Sequence, residues 1–130
     1  VPSMKKKGPN YDRGAAALIS DLCQRGLDRS VLVVAMGEFG RTPRVNSKAG
    51  RDHWGAVMSV MLAGGGLRMG QIIGASNPKG EVPAAAPYRP ESVLATVYRH
   101  LNIDPATTLL DYSGRPRHLL ERRELISELI

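Results

Sequence analysis

The apolar positions fall into short blocks, each with its own period. Over residues 11–27, Leu18, Ile19, Leu22 and Cys23 share one helical face, Asp12 stands in the first turn and Gly26 follows Arg25 as a stop, so the pattern predicts a helix. Next, Ser30-Val31-Leu32-Val33-Val34-Ala35-Met36 is an unbroken, largely β-branched run, the pattern of a strand covered on both faces. Residues 57–63 are apolar and end at Gly64-Gly65-Gly66, which reads as a strand with a glycine turn, and Gln71-Ile72-Ile73-Gly74 reads as a second short strand. A polar loop over 75–89 carries Pro78, Gly80, Pro83 and Pro87. Residues 89–101 give the clearest helix: Pro90 and Glu91 suit its first turn, Val93, Leu94, Val97 and Leu101 make one stripe, and Asn102 suits a left-handed stop. Residues 119–130 read as a last amphipathic helix. Helices alternating with buried strands predict an α/β chain.

Length fits this picture to one ordinary domain, since 130 residues allow a single core. With 42% apolar and 23% charged residues the chain is globular in composition, and 14 Gly and 9 Pro imply many turns between short elements. Residues 54–67 form an uncharged run of 14, short of the roughly 20 that a membrane helix needs, so no membrane span is expected. Met4-Lys5-Lys6-Lys7 leads into Gly8-Pro9-Asn10 rather than an apolar segment, so residues 1–10 read as a flexible basic arm and not as a secretory signal. Cys23 is the single cysteine, which excludes an internal disulfide.

Charge narrows the partner. Lys5, Lys6 and Lys7 supply half of the net +6, but arginine outnumbers lysine 13 to 5, and the guanidinium fork suits phosphate, sulfate or carboxylate oxygens. The basic residues form no stripe and do not interleave with the six aromatic residues, so a small anion is expected rather than nucleic acid.

In α/β sheets chemistry collects in loops leaving the carboxyl ends of strands, which singles out the segment after Met36. It carries Gly37-Glu38-Phe39-Gly40-Arg41-Thr42-Pro43, then Asn46, then Gly50-Arg51-Asp52-His53-Trp54. Glu38, Asp52 and His53 offer oxygen and nitrogen ligands of the kind Zn, Mn or Mg accept. The same residues also read as a salt-bridged loop in which Arg41 and Arg51 pair with Glu38 and Asp52.

These strings, with Leu62-Ala63-Gly64-Gly65-Gly66, Gly70 to Ser76 and the helix ending Leu101-Asn102-Ile103-Asp104-Pro105, resemble the C-terminal part of the bacterial proteins grouped as domain of unknown function 1501. That family is similar to the alkaline phosphatase and sulfatase superfamily. The resemblance implies the C-terminal portion of a three-layer sandwich with a mostly parallel central sheet, with residues 11–118 as a partial domain and 119–130 as a terminal helix. It implies hydrolysis of phosphate or sulfate esters by the parent protein, with a divalent metal (Zn, Mn, Mg or Ca) held by Glu38 and His53. Arg41 and Arg51 would grip the anionic ester, with Asp52 behind His53. In the superfamily the strand ends in Asp-His-Gly, so Glu38 keeps an oxygen ligand while Phe39 stands where a histidine would be. That departure points to a one-metal or altered site. Nothing before Val31 has the strand and hydroxyl loop of the nucleophile, so the chain is expected to be a fragment that is inactive without the rest of its parent. Members commonly begin with a twin-arginine signal, which implies an exported or periplasmic protein. Phe39 equally suits a non-catalytic binding or scaffold domain that keeps the fold.

Overall fold

The computed structural model describes residues 2–130. The chain divides into two compact units, Val1–Ala86 and Pro87–Ile130. Helices and short sheets alternate along it, so it is a mixed α/β chain. The sheets are four two-stranded pairs, and every pair is antiparallel. A mostly parallel central sheet is therefore not formed among the described residues: each strand has a single antiparallel partner.

In the first unit, helix α1 covers Pro2–Gln24 and includes Pro9. Most of the segment expected as a flexible arm is thus helical, although Pro9 has no N–H to donate within the helix. Leu18, Ile19 and Leu22 on α1 are half-buried or exposed. Strand β1 (Leu32–Ala35) pairs with a later strand, Met61–Gly64, with Leu32 opposite Gly64 and Ala35 opposite Met61. Between them lie the two-residue strands β2 (Gly40–Arg41) and β3 (His53–Trp54), so the Met61–Gly64 strand is β4. Gly64 is required where β4 turns: its φ is +78°, and a Cβ would stand 2.5 Å from the Val31 carbonyl oxygen. The predicted strand over 71–74 is absent; Ile72 is fully exposed, and pairing starts later, between β5 (Ala75–Ser76) and β6 (Pro83–Ala85).

The second unit holds the packed core. Helix α2 (Pro90–His100) starts at its proline as predicted, and Asn102 at φ +56° ends it. There the Asn102 N–H bonds the Arg99 carbonyl at 3.1 Å and the Ile103 N–H bonds that of Tyr98 at 2.8 Å, a Schellman closure. The buried face differs from the predicted stripe. Ser92, Val93, Ala95 and Thr96 are buried while Leu94 and Leu101 are exposed, because the small residues let the C-terminal segment lie close against the helix. Leu120, Ile126 and Leu129 complete that core. The Thr96 hydroxyl donates to the Ser92 carbonyl at 2.8 Å and accepts the Ile126 N–H at 3.4 Å, so no polar group there is stranded.

The C-terminal helix expected over 119–130 is reduced to one 3₁₀ turn, Ser127–Leu129. Its place is fixed by Tyr88, whose hydroxyl donates to Glu128 Oε2 at 2.6 Å. Strands β7 (Thr108–Leu110) and β8 (Pro116–His118) form an exposed hairpin. Its turn is organised by Asp111, which accepts the Ser113 and Arg115 N–H groups at 2.8 and 3.0 Å. Those backbone donors and the Arg115 and Arg117 side chains hold the Asp111 carboxyl below the ordinary carboxylate range, and the Tyr88 hydroxyl does the same for Glu128.

Candidate functional site

The segment singled out by sequence folds into one small ribbon. β2 and β3 pair with Gly40 opposite Trp54 and Arg41 opposite His53. Directly opposed residues share a face and neighbours alternate, so Arg41 and His53 stand together on one face. Phe39, two residues before Arg41, joins them: its ring lies 3.9 Å from the His53 ring, centroid to centroid, and the Arg41 guanidinium carbon stands 5.6 Å from the Phe39 ring centre. This is aromatic stacking with a cation beside it. Phe39, where the resemblance implies a metal-binding histidine, thus packs against the histidine that the ribbon retains.

Gly40 makes this pairing possible. A Cβ on it would overlap the Val57 carbonyl oxygen and stand 3.2 Å from the Trp54 carbonyl oxygen. Only a bare backbone fits between those carbonyls.

The loop joining β2 to β3 is built on Asn46. Its Oδ1 accepts the Lys48 and Gly50 N–H groups at 3.0 and 2.9 Å, and its Nδ2 donates to Asp52 Oδ1 at 2.8 Å. Asp52 therefore bonds the loop and not His53, as the alternation of neighbouring side chains along a strand requires. Its backbone extends the ladder by one step, with the Thr42 N–H on the Asp52 carbonyl at 2.9 Å and the Asp52 N–H on Thr42 Oγ1 at 3.0 Å. Arg51 turns inward as well: Nη1 donates to the Thr42 and Pro43 carbonyls at 2.7 and 2.6 Å. Arg41 makes only a long contact of 3.5 Å to the Arg51 carbonyl, which leaves most of its donors free. Among the described residues no ion pair joins Arg41 or Arg51 to Glu38 or Asp52, so the salt-bridged loop is not what forms.

Asn46 and Thr42 organise this site, and sequence reasoning named neither role. The spacing Asn46 to Gly50 is the available signal, since an asparagine that closes a turn on its own backbone favours a glycine shortly after it.

Residues 2–130 match the sequence model of a family described as Protein of unknown function (DUF1501). The chain belongs to the DUF1501 family. No curated protein matches it, and no solved structure does. For this DUF1501 chain the donor set can be tested against a metal. Glu38 and His53 are both exposed, and among the described residues no group of three or more His, Cys, Asp or Glu is placed to hold one. A catalytic zinc site takes three protein ligands, so these residues do not by themselves fit that metal. What the ribbon does present is a guanidinium and an imidazole side by side on an open face, an arrangement suited to an anion.

Proposed function

We propose that this DUF1501 chain is the C-terminal part of a larger metal-dependent hydrolase of phosphate or sulfate esters, contributing an anion-binding face and two of the metal's ligands. The observation that carries this reading is the cross-strand pair of Arg41 and His53, with the exposed carboxylate Glu38 on the turn leading into the same ribbon. Arg41 supplies a guanidinium to neutralise ester oxygens, and Arg51 holds the loop behind it. Glu38 and His53 are the two ligands from this chain; the remaining ligands and the nucleophile come from elsewhere in the parent. There, β1 and β4 belong to the mostly parallel central sheet of a three-layer sandwich. Export of the parent is part of the same reading, and among the described residues no helix is long and apolar enough to cross a membrane.

The test is metal content and turnover of the full-length parent. Divalent metal should co-purify and fall in the Glu38→Gln and His53→Ala variants, with ester hydrolysis falling alongside. Absence of metal from the wild-type parent, or unchanged content in both variants, contradicts the reading. A second reading, a non-catalytic binding domain, is favoured by the Phe39 ring, which occupies one side of the His53 imidazole. Under it, Phe39→His leaves metal content at zero.

A further inference from the structure

A ladder of two residue pairs is too short to hold its own geometry, yet β2 and β3 carry both side chains of the proposed anion face, Arg41 and His53. The support comes from a loop distant in sequence. Trp54 lies on the face opposite His53, and its indole Nε1 donates to the Glu81 carbonyl at 2.8 Å. Glu81 belongs to a loop over 77–82 that Asn77 closes on itself. Asn77 Oδ1 accepts the Glu81 and Val82 N–H groups at 2.8 and 3.4 Å, while its backbone N–H bonds the Val82 carbonyl at 2.9 Å. The same loop runs close to the one joining β2 to β3: a Cβ added at Gly80 would stand 3.8 Å from Pro43 Cγ.

We infer that Asn77 and Trp54 are positioning residues for the Arg41 and His53 face. Asn77 shapes the loop, the loop's Glu81 carbonyl holds the indole, and the indole fixes β3, which carries His53 onto Phe39. The functional meaning of this chain of contacts rests on the anion-site reading, but its geometry is testable with no ligand present. The stacked Phe39 ring imposes a ring-current shift on the His53 imidazole protons, and this shift reports the stack directly.

The experiment is proton NMR of the full-length parent, with the His53 signals assigned by their loss in His53→Ala, as wild type, Trp54→Phe, Asn77→Ala and the double variant, followed by titration with inorganic sulfate. Each single variant should move the His53 imidazole signals toward those of an unstacked histidine, while the methyl signals of Val93 and Leu120 stay in place. The double variant should move them no further than the larger single one, because both residues act through one contact. Sulfate affinity should fall by about tenfold in each variant. His53 signals that stay put in folded Trp54→Phe, or shifts that add in the double variant, overturn the inference. If the His53 signals respond as described while wild type binds no sulfate, the positioning chain stands and the anion-site reading falls.

Discussion

Val1–Ala86 carries 12 basic and 6 acidic residues, and none of its described residues is buried; Pro87–Ile130 carries 6 of each and contains every buried residue among those described. The whole net charge of +6 therefore sits on the unit with no buried residue among those described. The difference separates two ways of holding a chain. In the second unit, apolar burial fixes α2 and the last ten residues, and polar groups such as Thr96 are fitted into that core. In the first, short ladders and side-chain bonds from Asn46, Arg51 and Trp54 do the fixing, and the apolar strands β1 and β4 remain half-covered. An arrangement held by hydrogen bonds at a surface keeps its cations and imidazole open to solvent, as an anion site requires.

The contrast breaks most sharply under a buried charge. Ala95→Asp, at a position with no exposure, should cost more than about 4 kcal/mol and abolish amide-exchange protection along α2. Val34→Asp on half-open β1 should cost far less. Equal losses from the two would erase the distinction between the units.

Gly40→Ala should cost about 1–3 kcal/mol, confined to the first unit, because the new methyl overlaps the Val57 carbonyl. Hydrogen exchange checks it: the amides of Thr42 and Trp54 should lose protection while those of α2 keep theirs.

A smaller effect sits at the end of α2. Asn102→Ala should lower stability by about 1 kcal/mol in thermal melts, since alanine tolerates positive φ less well, and Asn102→Gly should not.

The mildest effect is with pH. Asp111 and Glu128 both have carboxyls lowered in the folded state, Asp111 mainly by the Arg115 N–H and Glu128 by the Tyr88 hydroxyl. Their stabilisation is complete above the ordinary carboxylate range and is lost as pH falls through the lower folded values. The second unit should therefore weaken below about pH 4, and Glu128→Gln should flatten part of that acid slope. An acid slope that the variant leaves intact would remove Glu128 from the account.

How much of this was legible depended on distance along the chain. Both ends of α2 were readable because Pro90 and Asn102 act within their own turn, and β1 was readable because Leu32 to Ala35 carries no charge. The partner of β1 was not, since pairing direction depends on where the chain returns, and Gly64 says only that it turns. The buried face of α2 was read as the leucine stripe, but the close fit of residues 119–130 selects Ala95 and Thr96 instead. Residues 38, 41 and 53 are close along the chain, and the ribbon brings Arg41 and His53 onto one face. Arg51 and Asp52, equally polar in sequence, are drawn into holding the loop because Thr42 and Asn46 offer them backbone and amide partners.

The central claim is that the Arg41 and His53 face binds the ester of a hydrolase. It is tested most directly by turnover of an aryl phosphate and an aryl sulfate by the full-length parent, wild type against Arg41→Gln and His53→Ala. The account predicts turnover by the wild type of at least one ester, a rise in KM for Arg41→Gln and a loss of kcat of at least about a hundredfold for His53→Ala. A wild-type parent that turns over neither ester, or variants that match a turning-over wild type in both constants, would contradict it.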